Sequence, residues 1–415
     1  MKRFISTPSR KLIHHLTVEI VVFLYLSFSL IVSVSPEING WVSIWYATDY
    51  SIGFSSRLLI GSLLHLFLGT FIPQEAAYAF VIVCFLIIFA LLAKIIGYAV
   101  QKVSSYEELF AVSILIGMYL ASPASPGYLW TVENMGRLET YLFLLSLVIF
   151  LISIYCKNDF LVLISSTVIA IICIAIHQVY MFLFFPLLLV IFLHYVFINN
   201  FRKSILFTVG FATAILCVVC LFFQFGSHIK YDDPLILTAH LQSKTSLPCA
   251  DGPIIQEYFW PFSKHFTHNY LPDARERLRY GIITIFLLSP IAISFIYLWY
   301  KTILHCTTQL EKIKYILMIA TNITFLPAFA ILTDWGRWFG AFFTVQFLVF
   351  LFLYCKKDVH ISYSFSSLGT WICKYPLFFI CIILYLSCFE KFEGCNYLNE
   401  AQSFYYFTYK IRSLF

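Results

Sequence analysis

Long apolar runs fill this chain, separated by short polar connections. Stretches of about 17–25 residues recur from end to end, the length an α-helix needs to cross roughly 30 Å of hydrocarbon. The runs are continuous and do not alternate in and out, so the pattern predicts helices and argues against a β-barrel. About eleven crossings are predicted (range 10–12), near 16–34, 76–100, 109–124, 139–156, 160–177, 179–199, 205–225, 280–300, 314–333, 338–355 and 375–389. The expected fold class is all-α, a polytopic transmembrane helical bundle forming a single integral membrane domain over residues 1–415. The opening MKRFISTPSRK and the apolar run after it look like a signal sequence. That run is long, however, and proline follows the small residues of SVSPE, so it reads as an uncleaved first span.

Two regions depart from the pattern. Within 52–69, Gly53, Arg57, Gly61, His65 and Gly69 recur four apart, which puts a small or polar stripe on one helix face. The rest of that segment is leucine-rich, so it predicts a re-entrant or interfacial helix. Residues 226–279 form the largest polar segment, ending in Arg275, Arg277 and Arg279.

Charge orients the bundle. Most cations, from Lys2 and Arg3 to Lys356, Lys357 and Lys374, fall in segments predicted on one side. The short loops of the other side carry only Arg57, Arg137 and Arg337. The positive-inside rule then places the N-terminus in the cytoplasm and the C-terminus outside, with 226–279 as an outer loop.

The chain is 61% hydrophobic and 12% charged, against about 25% charged in soluble domains, which excludes an ordinary soluble enzyme. The net charge of +6 follows from the cationic ends of the spans and gives no ground for nucleic acid. No phosphate-cradling glycine loop or metal-ligand spacing is evident, so neither a metal nor a cofactor is expected. Of the twelve cysteines, Cys249 and Cys395 lie in polar outer segments, either as a disulfide or as two unrelated thiols.

The candidate chemistry gathers on the outer face. Arg57 follows Asp49 in ATDYSIGFSSR; Arg137 lies between Glu133 and Glu139 in ENMGRLE; Arg337 follows Asp334 in TDWGRW, between Trp335 and Trp338. Arginine is costly near hydrocarbon, and its planar fork suits phosphate. Three such residues on one face predict a site for an anionic, phosphorylated ligand, with Arg279 as a further contributor. Plainer readings stand beside this one. Arg57 snorkels to the surface, Asp49 caps a helix, Asp334 pairs with Arg337, and Arg137 pairs with a neighbouring glutamate. The outer tryptophans are either sugar-stacking platforms or a by-product of loop length. Asp49 is the first candidate for a general base, followed by Asp334 and by His177 at the end of the fifth predicted span. His177 is otherwise a satisfied core histidine.

With IGFSSRLLIG, MGRLE and DWGRWFG in an aromatic-rich multi-span frame, the chain resembles bacterial O-antigen and capsule repeat-unit polymerases. It also resembles multi-span (GT-C-like) lipid-carrier-dependent glycosyltransferases. The resemblance implies an enzyme of the bacterial inner membrane that polymerises oligosaccharide units carried on polyprenyl diphosphate. Its partners would be that lipid-linked oligosaccharide, membrane lipids and other polysaccharide-assembly membrane proteins. It also implies a catalytic acid in the first outer loop, where Asp49 stands, although the paired-acid pattern of the glycosyltransferases is absent. The alternatives are transfer of one sugar from a polyprenyl-phosphate donor, and a flippase for lipid-linked oligosaccharide. The gathering of polar residues at one face disfavours the flippase.

Overall fold

Apolar runs with few internal breakers fold as helices in the computed structural model. It describes residues 8–198, 208–216, 218–220, 228–249, 255–256, 258–259, 274–331 and 335–392. The helices are α1 (Pro8–Ser33), α2 (Gly40–Ala47), α3 (Leu59–Leu68), α4 (Gln74–Gln101), α5 (Tyr106–Ala121) and α6 (Glu139–Tyr155). They continue with α7 (Asp159–Ile176), α8 (Tyr180–Leu183), α9 (Phe185–Ile198), α10 (Pro234–Gln242), α11 (Ala274–Leu287) and α12 (Ser289–His305). The last are α13 (Gln309–Ala320), α14 (Leu326–Ile331), α15 (Trp335–Cys355), α16 (Val359–Lys374) and α17 (Pro376–Ser387). Polar residues start several of them. Asn39, Ser105, Asn158, Thr308 and Asp358 each accept a backbone N–H of the first turn.

The all-α class and the membrane-length helices agree with the sequence pattern, but the count of crossings does not. Five stretches are long and apolar enough to cross: Leu16–Ser33, Gln74–Gln101, Tyr106–Trp130, Asp159–Ile176 and Trp335–Cys355. Two bent pairs, at 73° and 99°, raise the number to at most seven among the described residues. The helices Glu139–Tyr155 and Phe185–Phe197 are apolar but shorter. The run at 314–333 breaks in two because Thr321, Asn322 and Thr324 bond back to the carbonyls of Met318, Ile319 and Thr321, and Pro327 follows. The predicted span 205–225 lies largely outside the described residues. Helix α16 occupies a stretch read from sequence as a connection. Its apolar positions Ile361, Phe365, Leu368 and Ile372 nevertheless recur at helical spacing and are buried.

Helix α15 is the hub. It is apolar on every face, and nearly every residue from Gly336 to Cys355 is buried, as expected of a helix enclosed by others. Two buried carboxylates meet it at opposite ends. Arg337 in its first turn engages Glu139 of α6, and Tyr354 in its last turn engages Glu108 of α5. At 1.5 Å per residue the two ends stand roughly 25 Å apart.

A second, smaller core joins two segments that read as separate outer loops. Ile44, Ala47, Ile52 and Leu58 pack with Leu237, Leu241, Ile255 and Tyr258. Above it, β1 (Gly53–Phe54) pairs antiparallel with β2 (His228–Ile229), Gly53 opposite Ile229. Ile72 bridges Thr245, and Gln74 N–H donates to Ser246 Oγ at 2.8 Å. The start of the long polar segment is therefore a fold element seated on the first connection.

Candidate functional site

The four-residue stripe of 52–69 is only partly helical. α3 starts at Leu59, so Gly53 and Arg57 lie before it, and Gly69 is its C-cap. Gly61 and His65 do share a face, and that face packs on the end of α2. A Cβ at Gly61 would collide with the Thr48 carbonyl, and His65 Nε2 lies 3.2 Å from the Ala47 carbonyl oxygen. Close contact through small residues is thus met at Gly61.

Arg57 stands instead in a left-handed backbone conformation, φ +80°, which costs about 1–2 kcal/mol for a side chain with a Cβ. The flanking structure imposes it. The Arg57 N–H donates to the Ala175 carbonyl at 3.3 Å, and Ser56 Oγ bonds Gln178 Oε1. Both partners belong to the end of α7 and the turn after it, so Arg57 is delivered beside His177.

Arg137 arrives from a second connection. Gly136, φ +80°, makes the turn, and its carbonyl accepts Tyr46 OH at 2.5 Å, which ties the turn to α2. Arg137 Nε donates to the Glu133 carbonyl oxygen at 2.8 Å, while Glu133 itself is exposed. Glu139 turns away from this local group to form a buried ion pair with Arg337 Nη1. Asp334, read as the partner of Arg337 and as a candidate base, lies outside the described residues.

His177 is the point of convergence. It caps the C-terminus of α7 and is 9% exposed. Burial lowers the tendency of its imidazole to take a proton, and the charges of Arg57, Arg337 and Arg137 lower it further. Three arginines from three separate connections therefore bear on one side chain. Both effects favour the neutral ring. Its Nδ1 accepts the Val179 N–H at 3.3 Å, which leaves the ring proton on Nε2. In this tautomer His177 Nε2–H is available as a hydrogen-bond donor.

Asp49 belongs to a neighbouring group. Its carboxylate caps the short turn Tyr50–Ile52 through Ser51 N–H at 2.7 Å and pairs with Lys244 Nζ at 2.7 Å. His65 Nε2 lies 3.7 Å away. Burial pushes its pKa up, but the Lys244 ammonium and the Ser51 bonds outweigh that and hold the carboxyl below its ordinary range. The capping role is met, and a carboxylate held this way is a weak proton acceptor.

The aromatic walls differ from a sugar platform. Trp338 is 2% exposed, and the Arg337 guanidinium lies over its ring at 5.1 Å, a cation–π contact beneath the ion pair. Trp335 packs edge-on to Phe329 and against Gly281. Trp130 is buried against Phe85 and Phe89, whereas Trp41 is 43% exposed. Arg279 is exposed on α11. Cys249 is a free thiol, and Cys395 lies outside the described residues.

Sequence reasoning read Glu139 as a neighbour of Arg137 and missed its pairing with Arg337. Its Oε1 takes Arg337, while its buried Oε2 has no hydrogen-bond partner among the described residues. A buried carboxylate oxygen left unbonded is rare and calls for an explanation. The available signal was an acid in the first turn of an apolar helix. Lys244 was missed too, because nothing local links it to Asp49.

Comparison with protein-family models, curated proteins and solved structures finds no match to this chain.

Proposed function

We propose that this protein is a membrane glycosyltransferase that extends oligosaccharide repeat units carried on polyprenyl diphosphate. The reaction runs at the outer face of a bacterial inner membrane, with the N-terminus cytoplasmic. One observation carries the reading: Arg57, held at the end of α7 by its N–H bond to the Ala175 carbonyl, and Arg137 and Arg337, which flank Glu139, gather at the end of the bundle where His177 lies. Such a cluster suits an anion that gains charge as it departs. In the proposed step an acceptor sugar hydroxyl attacks the anomeric carbon of the donor. The bond from that carbon to the diphosphate oxygen breaks, and lipid diphosphate leaves with the bonding pair. Arg57 and Arg137 hold its oxygens, and His177 Nε2–H donates to one of them. Glu139 Oε2, which has no hydrogen-bond partner among the described residues, takes the hydroxyl proton, whereas both oxygens of Asp49 are engaged, by Ser51 and Lys244.

The test is chain extension by the purified protein in vesicles supplied with the lipid-diphosphate oligosaccharide. Arg57→Ala and Arg137→Ala each lower the rate roughly 100- to 1,000-fold at unchanged protein level. Full-length polymer at wild-type rates from both variants sinks the reading. A product lengthened by a single sugar assigns the protein to the one-sugar transferases. Translocation of the lipid without chemical change assigns it to the flippases.

A further inference from the structure

The opposite end of the bundle holds a side-chain cluster that the proposed reaction does not use. Cys306 closes α12, Glu311 lies in the first turn of α13, and His360 lies in the first turn of α16. The Cys306 thiol, a Glu311 carboxylate oxygen and a His360 ring nitrogen all lie within 4.8 Å of one another. His360 Nε2 and Glu311 Oε1 are 3.4 Å apart. A tetrahedral zinc with bonds of roughly 2.0–2.2 Å to nitrogen and oxygen sets those two atoms about 3.4 Å apart. Sulfur sits about 3.6 Å from either in the same geometry, so only the Cys306 thiol has to move.

The outer contacts are arranged as metal ligands require. Glu311 Oε2 accepts the N–H groups of Thr307 and Thr308, both at 2.9 Å, which leaves Oε1 facing His360. His360 Nδ1 bonds His305 Nδ1 at 2.9 Å, which leaves Nε2 facing Glu311. His305 is itself held by stacking on Tyr363, with ring centroids 4.0 Å apart. In metal sites the non-ligating atom of each ligand is fixed in this way, which sets the histidine tautomer and the direction of approach. The neighbouring Lys314 ammonium is neutralised by Asp358 at 2.6 Å, so it does not leave an uncompensated cation beside the cluster.

We propose that Cys306, Glu311 and His360 form a binding site for a divalent transition metal, zinc foremost, with three protein ligands and a water in the fourth position. A thiolate, an imidazole and a carboxylate select zinc-like ions over magnesium or calcium, which take oxygen ligands alone. The Cys306 thiol now donates to the Thr302 carbonyl at 3.2 Å; on binding, its proton is released to water and the sulfur turns to the metal. The ion would tie the turn between α12 and α13 to the start of α16.

The test uses the full chain in detergent, purified without a polyhistidine tag and stripped with chelator. Titration with Co²⁺ gives a thiolate-to-cobalt charge-transfer band that saturates at one equivalent, and Zn²⁺ displaces it. Cys306→Ser and Cys306→Ala each abolish the band, so that a folding failure in one leaves the other. His360→Gln and Glu311→Gln each weaken binding at least about 10-fold. Cys388→Ser changes nothing. A wild-type protein without the band has a histidine–carboxylate ion pair only, and the proposal falls. It also falls if the band survives in both Cys306 variants, or if affinity is unchanged in both His360→Gln and Glu311→Gln.

Discussion

The two ends of α15 each bury a glutamate, and they treat it differently. At one end Glu108 has both oxygens occupied. Its Oε2 accepts Ser104 N–H and Ser104 Oγ, each at 2.8 Å, and Tyr354 OH at 2.9 Å; its Oε1 accepts Ser366 Oγ at 3.3 Å. At the other end Glu139 has one oxygen on Arg337 and the other without a hydrogen-bond partner among the described residues. A satisfied network rigidifies a core, while an incomplete one is costly unless something completes it. The contrast marks the Glu108 end as a finished structural joint. It leaves the Glu139 end, with its arginines and one strained backbone position, as the less completely bonded of the two.

The largest effect that separates the two ends comes from the buried ion pair. Arg337→Ala leaves Glu139 uncompensated and lowers stability by roughly 3–5 kcal/mol, read as thermal unfolding in detergent. Arg337→Met combined with Glu139→Leu, which removes both charges, recovers most of that loss. A double variant as unstable as the single one breaks the account of this pair. Next comes Tyr354→Phe, which takes one charged hydrogen bond from Glu108 and costs roughly 1.5–3 kcal/mol. Extension activity in Tyr354→Phe stays at wild type, because that end is structural; a loss like that of Arg57→Ala would erase the distinction.

Gly61→Ala forces α3 away from the end of α2 and costs roughly 1–3 kcal/mol, testing whether the first connection is packed as tightly as the bundle. Asp49 gives a signed pH test of the same region. Its pKa is depressed in the fold, so its stabilisation is fully present above the ordinary carboxylate range and is lost as pH falls through the lower, folded value. In Lys244→Ala that acid-side loss shrinks; an unchanged acid limb means the pair is not what holds Asp49. The smallest effect is the sharpest. Arg57 has positive φ, so Arg57→Gly is more stable than Arg57→Ala by about 1 kcal/mol, although both lose activity. Equal stability would remove the strain from the argument.

Much of this was legible along the chain. The apolar runs gave the helical class because a 3.6-residue helix is the only open-chain way to satisfy backbone groups in hydrocarbon. The three arginines were legible because a guanidinium near hydrocarbon is anomalous wherever it falls. Short-range detail was legible in part: Asp49 does cap a turn, and Gly61 does allow close approach. Pairings between distant segments were not. Arg337 takes Glu139, Asp49 takes Lys244, and Cys306, Glu311 and His360 meet across three helices.

Local pattern therefore determined what each segment is: helix, break, cap or charged turn. Tertiary structure alone decided which charges meet, how many of the described helices are long enough to span, and which buried polar atoms of the described residues are left unbonded. Backbone hydrogen bonding and hydrophobic period act over a few residues and leave their mark in order along the chain. Ion pairs and ligand sets depend on distance in space, which a linear pattern does not contain.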